Sequence, residues 1–302
     1  MDQIFERFRT LPVEERLSTH LTRRRYADFP VVVVDHPRAG RASLSVQGGQ
    51  LVTWSPAAGG PLDPGVLWSA DPDLWKRGTA VRGGVPLCWP WFGPNGPAGS
   101  PSHGFARTSD WELTAWEDEP ERVLVEFTLR PTPATRALWD EDFELVARYT
   151  FADTCLIEIE DRGGEHTSTA ALHTYLRIGD LGHAHLAGLG PDHTDGLTGR
   201  RHEGEDGTLT PVDHVERFQT APAPVTTLRD DVLDRVIALV HHDHSDVVVW
   251  NPGAELARGM ADVAPEQYRH FLCAETARVT HPLTTTPTHP SRLSVELRTT
   301  TP

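Results

Sequence analysis

The stretch from Arg122 to Arg162, RVLVEFTLRPTPATRALWDEDFELVARYTFADTCLIEIEDR, contains three segments in which apolar and polar residues alternate. The residues that repeat at every second position are Val123, Val125, Phe127 and Leu129, then Phe143, Leu145, Ala147 and Tyr149, and then Cys155, Ile157 and Ile159. Successive side chains of a β-strand point to opposite faces, so a period of two is typical of strands with one buried face. These segments therefore predict antiparallel sheets with one wet face.

The same alternation extends outward in both directions, with turn-rich segments between the strands. ASLSVQGGQLVTW, ending at Trp54, has it around the turn at Gly48-Gly49, and LSVELR near the C-terminus has it again. We therefore predict an all-β fold, with one large antiparallel β-sandwich domain over residues 31–302. Residues 1–30 are predicted to form a short N-terminal helical appendage. In it, residues 1–22 are helical, and Pro12 opens a second helical turn.

The composition excludes several classes of function. The chain has 302 residues, 38% of them hydrophobic, and a formal net charge of −15. Nucleic acid and anionic membrane surfaces require a basic face, so we expect neither as a partner. Cys88, Cys155 and Cys273 are widely spaced and odd in number, which argues against a disulfide frame or a zinc knuckle. The first residues lack an apolar signal segment, and we expect a cytoplasmic monomer.

A loop rich in glycine and proline, VRGGVPLCWPWFGPNGPAGSPSHGFAR, runs from Val81 to Arg107. Proline removes backbone donors and glycine allows unusual dihedral angles, so this segment predicts a rigid loop. Rigid loops on a scaffold commonly carry binding groups. Arg82 and Arg107 at its two ends suit an anionic ligand. The alternative is that the loop aromatics Trp89, Trp91 and Phe92 only fill the core.

The common motifs of nucleotide-binding proteins, serine hydrolases and zinc proteases are absent from the sequence. Two histidine clusters could bind a metal, HAH at His183 and His185 and HHDH at residues 241–244. The sequence offers no neighbouring carboxylate pattern that completes such a site. We therefore predict no metal, and we interpret HHDH as a solvated turn.

Two ionisable residues lie in otherwise apolar strand-like segments. His173 lies in TAALHTYLRIGD, and Glu275 lies in YRHFLCAETARV. A carboxylate buried in such a strand is costly unless it is paired or functional, so the two residues are candidates for an acid/base pair. The alternatives are that His173 is a satisfied core histidine and that Glu275 points to water at a strand end.

Five motifs, in order, are found in a known family. They are RGGVPLCWPWFG, HGFAR, LHTYLRIGD, VVVWNPG and CAETA. With them, residues 31–298 resemble the D-hexose-6-phosphate epimerases, the glucose-6-phosphate 1-epimerase branch of the aldose 1-epimerase or galactose mutarotase-like superfamily. The resemblance implies a large antiparallel β-sandwich. It also implies interconversion of the α and β anomers of a hexose 6-phosphate, with no cofactor.

The resemblance assigns roles to seven residues. His173 is the acid that protonates the ring oxygen, and Glu275 is the base that takes the anomeric hydroxyl proton. Arg82 and Arg107 hold the phosphate, with His103 beside Arg107. The family's sugar-binding Asp aligns with Asp213, and Ser102 stands where the family often has Gln. The alternatives are an epimerase of unphosphorylated aldoses and a non-catalytic carbohydrate-binding sandwich.

Overall fold

The computed structural model describes residues 2–60 and 62–300, and it is built mainly of β-strands. The α-helices in this part of the chain are α1 Gln3–Arg9, α2 Pro133–Leu138 and α3 Gly253–Arg258. The strands are β1 Val13–Arg16, β2 Leu21–Tyr26, β3 Phe29–His36, β4 Gly40–Ser45, β5 Gln50–Ser55, β6 Leu87–Cys88, β7 Glu112–Asp118, β8 Val123–Leu129, β9 Phe143–Phe151, β10 Cys155–Gly163, β11 His166–Leu172, β12 Tyr175–Arg177, β13 Ala184–Ala187, β14 His193–Asp195, β15 Arg201–His202, β16 Val215–Gln219, β17 Val225–Asp230, β18 Arg235–His242, β19 Asp246–Asn251, β20 Phe271–Thr285 and β21 Ser291–Thr300.

The strands form three antiparallel sheets. The first has the order β1-β2-β3-β4-β5, and the second has the order β13-β17-β18-β21-β10-β9-β8-β7. The third, which we call the site sheet, has the order β15-β14-β16-β19-β20-β11-β6, with β12 also paired to β20. The all-β sandwich prediction is confirmed.

The main core lies between the sheets and draws apolar side chains from all of them, for example Leu44, Phe127, Ile157, Leu172 and Val249. In the opening stretch, the residues that alternate are the buried ones, and their neighbours are mostly half-exposed. The burial pattern therefore follows from the sequence period.

The helical prediction for residues 1–22 is wrong beyond the first turns. Helix α1 ends at Arg9, with Thr10 as its C-cap, and residues 13–26 form the hairpin β1-β2. The residue before a proline is sterically disfavoured in the α region, so Pro12 ends the helical segment here and does not open a new turn. The apolar stripe of α1 instead packs Phe5 and Phe8 onto the first sheet.

The loop from Val81 to Arg107 is held by close backbone contacts. Gly84 has φ +60°, and a Cβ there would lie 2.1 Å from the carbonyl oxygen of Leu51. Gly104 has φ +73°, and a Cβ there would lie 1.9 Å from the carbonyl oxygen of Trp89. Neither position accepts a side chain, so the glycines let the loop pack directly against neighbouring backbone.

The three loop aromatics, Trp89, Trp91 and Phe92, do not all fill the main core. Trp89 and Trp91 belong to the main core, so the core-filling interpretation is correct for them. Phe92 packs in a separate small cluster with Val248 on the site sheet.

Within residues 2–60 and 62–300, no helix has the length and apolar character needed to cross a membrane.

Candidate active site

The site is built on one face of the site sheet, where the strand register brings distant residues into rows. One row runs Glu216, Trp250, Cys273 and Tyr175 across β16, β19, β20 and β12. The next runs Phe218, Val248 and Glu275. Neighbouring side chains in such rows point to the same face. The opposite face, with residues such as Val249 and Ala274, packs into the main core.

The loop from Val81 to Arg107 contains β6 and borders this face at the β6 edge of the site sheet. The backbone N–H of His173 donates to the carbonyl of Pro86 at 3.0 Å, and that of Tyr175 donates to Gly84 at 2.9 Å. These bonds continue the sheet into the loop. They place Arg82, at the start of the loop, beside the strand segment that carries His173.

A pocket of about 340 Å³ lies between the loop and the sheet. It is lined by Arg82, Phe92, Gly93, Pro94, Asn95, His103, Arg107, His173, Tyr175, Glu216, Phe218, Val248, Trp250, Glu275 and Val279. A larger cavity of about 530 Å³ lies between α1 and the segment around Trp68, but none of the seven predicted site residues borders it. We therefore take the smaller pocket as the site.

His173 and Glu275 meet in this pocket. The His173 Nε2 lies 3.3 Å from the Glu275 Oε1, and the two side chains are 8% and 2% exposed. Glu275 therefore does not point to water, and that alternative is wrong. Within the described ranges, His173 Nδ1 and Glu275 Oε2 are buried without a hydrogen-bond partner. The histidine is thus not a satisfied core residue, and both groups are open to a ligand's polar atoms.

The protonation of this pair follows from its surroundings. Burial lowers the pKa of His173 well below 6.5, and the nearby His103, Arg107 and Arg82 lower it further. Burial also raises the pKa of Glu275 well above 4.5, with a further contribution from the Glu216 carboxylate. The surroundings thus disfavour the charged form of both groups, which favours a neutral imidazole beside a protonated carboxyl group.

Arg82 is held on one side by protein groups. Its Nε donates to the Asp262 carboxylate at 2.7 Å, and its Nη1 donates to the Tyr175 hydroxyl at 3.2 Å. Although burial opposes the charged form, Tyr175 and Asp262 together raise the pKa of Arg82 above its ordinary value. The guanidinium therefore stays charged while lining the pocket.

Arg107 and His103 line another part of the pocket. Arg107 Nη2 donates to the Ser102 carbonyl at 2.9 Å, and its buried Nε has no partner among residues 2–60 and 62–300. The Gly93 N–H donates to His103 Nδ1 at 3.3 Å. Burial, followed by Arg107 and Arg82, lowers the pKa of His103 to about 4. Neutral His103 therefore carries its proton on Nε2 and can donate from there.

The structure brings five of the seven predicted residues together, namely Arg82, His103, Arg107, His173 and Glu275. Ser102 is exposed outside the pocket lining and acts on the site through its carbonyl, which holds Arg107. Asp213 also lies outside the lining, and its Oδ1 accepts the Ala254 N–H at 2.9 Å beside α3. The structure therefore does not bring Asp213 together with the other five residues.

The carboxylate that does line the pocket there is Glu216, three positions after Asp213. Sequence reasoning missed Glu216, because apolar and polar residues alternate only weakly in β16 and give no clear signal for the face that Glu216 occupies. It also missed Tyr175, Trp250 and Asp262. Tyr175 stands two residues after His173, a spacing that places both on one face of an extended segment.

The predicted solvated turn is correct for part of HHDH, because His242 and Asp243 are exposed where β18 ends, but it is wrong for His241. His241 is buried in β18, with Nδ1 and Nε2 at 2.8 and 3.0 Å from the hydroxyls of Thr276 and Thr226. Its ring is therefore fully used in holding β18 against neighbouring strands. His185 instead contacts Thr210 and Asp231 at the surface.

The geometry agrees with comparisons to known proteins. The Aldose 1-epimerase family model matches residues 30–298. A relative from Salmonella typhimurium is 41% identical over 286 residues, covering 94% of this chain and 95% of its own length. A relative from Escherichia coli K12 is 37% identical over 289 residues, covering 95% and 96%. Both carry the provisional name glucose-6-phosphate 1-epimerase.

Solved structures extend the likeness to the whole fold. A crystal structure of the provisionally named mutarotase YeaD from Salmonella typhimurium has a TM-score of 0.94 at 38% identity, covering 99% of this chain and all of the other. Galactose 1-epimerase from Lactobacillus acidophilus has a TM-score of 0.68 at 11% identity, covering 94% and 99%, and shares the fold. The chain therefore belongs to the aldose 1-epimerase family and is an isomerase that interconverts sugar anomers.

Proposed function

We propose that the protein interconverts the α and β anomers of glucose 6-phosphate, with His173 and Glu275 as its acid and base. The observation that carries this proposal is the shared pocket. An acid/base pair at 3.3 Å and two guanidinium groups line the same 340 Å³ space. Sugar ring opening requires the pair, and a phosphate ester suits the guanidinium groups.

The reaction uses the single proton of the pair. Ring opening begins with the proton on His173 and with Glu275 ionised. His173 gives its proton to the ring oxygen while Glu275 takes the proton of the C1 hydroxyl, and the bond from C1 to the ring oxygen breaks. The open-chain aldehyde rotates about the C1–C2 bond. Reclosure on the other face reverses both transfers and returns the pair to its starting state.

The surroundings of the pair favour the other protonation state, with the proton on Glu275. Because the Nε2 of His173 and the Oε1 of Glu275 lie 3.3 Å apart, a small movement brings them to hydrogen-bonding distance. The proton can then pass to His173 without crossing solvent. A phosphate dianion favours this transfer, since it offsets the positive charge of Arg82 and Arg107 that opposes protonation of the ring.

Glu216 takes the part in this proposal that sequence reasoning gave to Asp213. Its carboxylate lines the pocket and has no ion pair among the described residues. An ionised carboxylate accepts hydrogen bonds and repels phosphate, so it favours the hydroxyl-bearing end of the sugar. With the arginines binding phosphate, it orients the sugar. We also propose that the protein is a monomer and is located in the cytoplasm.

The direct test is NMR saturation transfer between the two anomers of glucose 6-phosphate, with and without the protein. Unphosphorylated glucose is the control. We expect faster exchange for the phosphate ester and little change for glucose. Equal acceleration of both sugars would contradict phosphate recognition, and no acceleration of either by the folded protein would contradict the proposed activity.

Arg107→Gln should raise KM for glucose 6-phosphate about 10- to 100-fold, because a hydrogen bond to a charged group is worth about 1.5–3 kcal/mol. The exchange rate of unphosphorylated glucose should change little. The measurement is the substrate dependence of anomer exchange for both sugars. Arg130→Gln is a matched control, since Arg130 pairs with Glu112 and Glu144 outside the pocket. Equal losses for both sugars would mean that Arg107 is structural.

The pH profile of kcat/KM should show no step from His173 at pH 6.5, because burial and the neighbouring His103, Arg107 and Arg82 lower its pKa well below that value. Glu275 should likewise show no step at its ordinary 4.5, because burial raises its pKa well above it. The measurement is kcat/KM for anomer exchange, which reports the groups of the free protein. The phosphate pKa near 6 is determined separately by NMR of the substrate alone. A step at 6.5 beyond that of the phosphate would show an ordinary, uncoupled histidine.

A further inference from the structure

Two contacts connect the phosphate-binding Arg82 to the acid His173. Tyr175 accepts a hydrogen bond from Arg82 Nη1 at 3.2 Å. The Tyr175 ring also stacks on the His173 ring, with centroids 4.7 Å apart and planes within 9°. One side chain therefore touches both the guanidinium that would hold phosphate and the imidazole that would donate the proton.

Asp262 completes this connection from the other side. Its carboxylate accepts from Arg82 Nε at 2.7 Å. Among the described residues, Asp262 and Tyr175 are the hydrogen-bond partners of the Arg82 side chain, and its Nη2 makes no hydrogen bond. The guanidinium is thus held at two of its three nitrogens, while the third remains for a ligand. An arginine fixed in this way keeps its fork oriented without a further entropy cost on binding.

We propose that Tyr175 and Asp262 are positioning residues through which a phosphodianion bound at Arg82 promotes proton transfer at His173. This inference rests on the proposed function and deepens it. The phosphate would then do more than anchor the substrate. Binding energy from a part of the substrate that does not react can raise kcat when it is used to prepare the reacting groups.

The physical basis is the charge and orientation of Arg82 relative to the His173 ring. A fixed guanidinium next to the stacked pair opposes a positive charge on the imidazole, and a bound dianion cancels that effect. The lowered pKa of His173, to which Arg107 and Arg82 contribute, agrees with this picture. Tyr175 is 2% exposed and stacks directly on His173, so this proposal gives it the part of coupling the position of Arg82 to the imidazole ring.

The experiment divides the substrate into two pieces. D-Xylose has a pyranose ring without the C6 phosphate arm, and inorganic phosphite is a separate dianion. Anomer exchange of xylose is measured by NMR while phosphite is added, and phosphite binding is measured by calorimetry. In the wild-type protein we expect phosphite to accelerate xylose exchange saturably, by about tenfold or more.

Tyr175→Phe keeps the stacked ring and removes the hydroxyl. We expect it to bind phosphite with nearly unchanged affinity but to lose most of the acceleration. Asp262→Asn should weaken phosphite binding about tenfold, and Asp262→Glu should restore it. The matched controls are Tyr26→Phe, which removes a surface hydroxyl from Asp73, and Asp110→Asn, which breaks a surface pair with Arg77. Both controls should behave as wild type.

Three outcomes would overturn the proposal. One is a Tyr175→Phe variant that phosphite accelerates as much as it does wild type. Another is unchanged phosphite binding in Asp262→Asn. The third is a wild-type protein that turns over glucose 6-phosphate but whose xylose exchange does not respond to phosphite. A wild-type protein that does not accelerate glucose 6-phosphate exchange would instead overturn the proposed function, and this inference with it.

Discussion

His173→Ala should lower the anomer exchange rate of glucose 6-phosphate by about 10²- to 10⁴-fold, the usual contribution of a positioned acid or base. The loss should appear in kcat, because the histidine acts on the ring oxygen and the phosphate is held elsewhere by Arg82 and Arg107. The measurement is saturation transfer at saturating substrate, with calorimetric binding of glucose 6-phosphate beside it. Binding should survive in the variant.

A second variant separates chemistry from packing at this position. His173→Gln keeps a polar side chain of similar reach against Tyr175 and Glu275 but cannot donate a proton from a cation. It should lose as much activity as the alanine variant. Turnover close to wild type in either folded variant would remove His173 from the mechanism.

Glu275→Gln should lower kcat by a similar factor, about 10²- to 10⁴-fold, since the amide cannot take the C1 hydroxyl proton. The substitution preserves shape at a residue that is 1% exposed. The measurement is again anomer exchange at saturating substrate. Activity within a few-fold of wild type would show that another group is the base.

The same variant should be at least as stable as the wild type above pH 4.5. The folded-state pKa of Glu275 is raised above its ordinary 4.5. The folded state therefore retains a proton that the unfolded chain has lost, and wild-type stability falls as pH rises through this window. Gln does not titrate, so the stability of the variant lacks this pH dependence. Thermal unfolding at several pH values should show that the stability of the variant relative to wild type increases as pH rises. A decrease in its relative stability over this range would mean that burial favours the ionised carboxylate, contrary to its surroundings.

Much of the fold could be predicted because it depends on short-range pattern. The alternation around Val125, Ala147 and Ile157 coincides with the buried face of the second sheet. The exception is the N-terminal segment, where β1 is exposed along its whole length. Its strand conformation comes from pairing with β2, a contact that no periodicity of its own predicts.

The sequence predicts some residues of the site correctly and misses others. His173 and Glu275 were recognisable because each is an ionisable residue in an apolar segment and stands in a family motif. The family alignment predicts Asp213, whereas the acid that lines the pocket in this part of the chain is Glu216. Asp213 precedes β16 and accepts the Ala254 N–H beside α3. Glu216 lies on β16, where the register with β19 pairs it with Trp250 in a row that borders the pocket.

The sequence by itself determined that the protein is an all-β sandwich and supplied the acid, the base and the two arginines. It could do so because strand periodicity is local and because each of these groups is conspicuous where it stands. The tertiary structure alone decided how they work together. The bonds from Arg82 to Tyr175 and Asp262 span 93 and 180 positions of the chain. Contacts at such separations depend on how sheets and loops pack, and this packing leaves no periodic signal in the sequence.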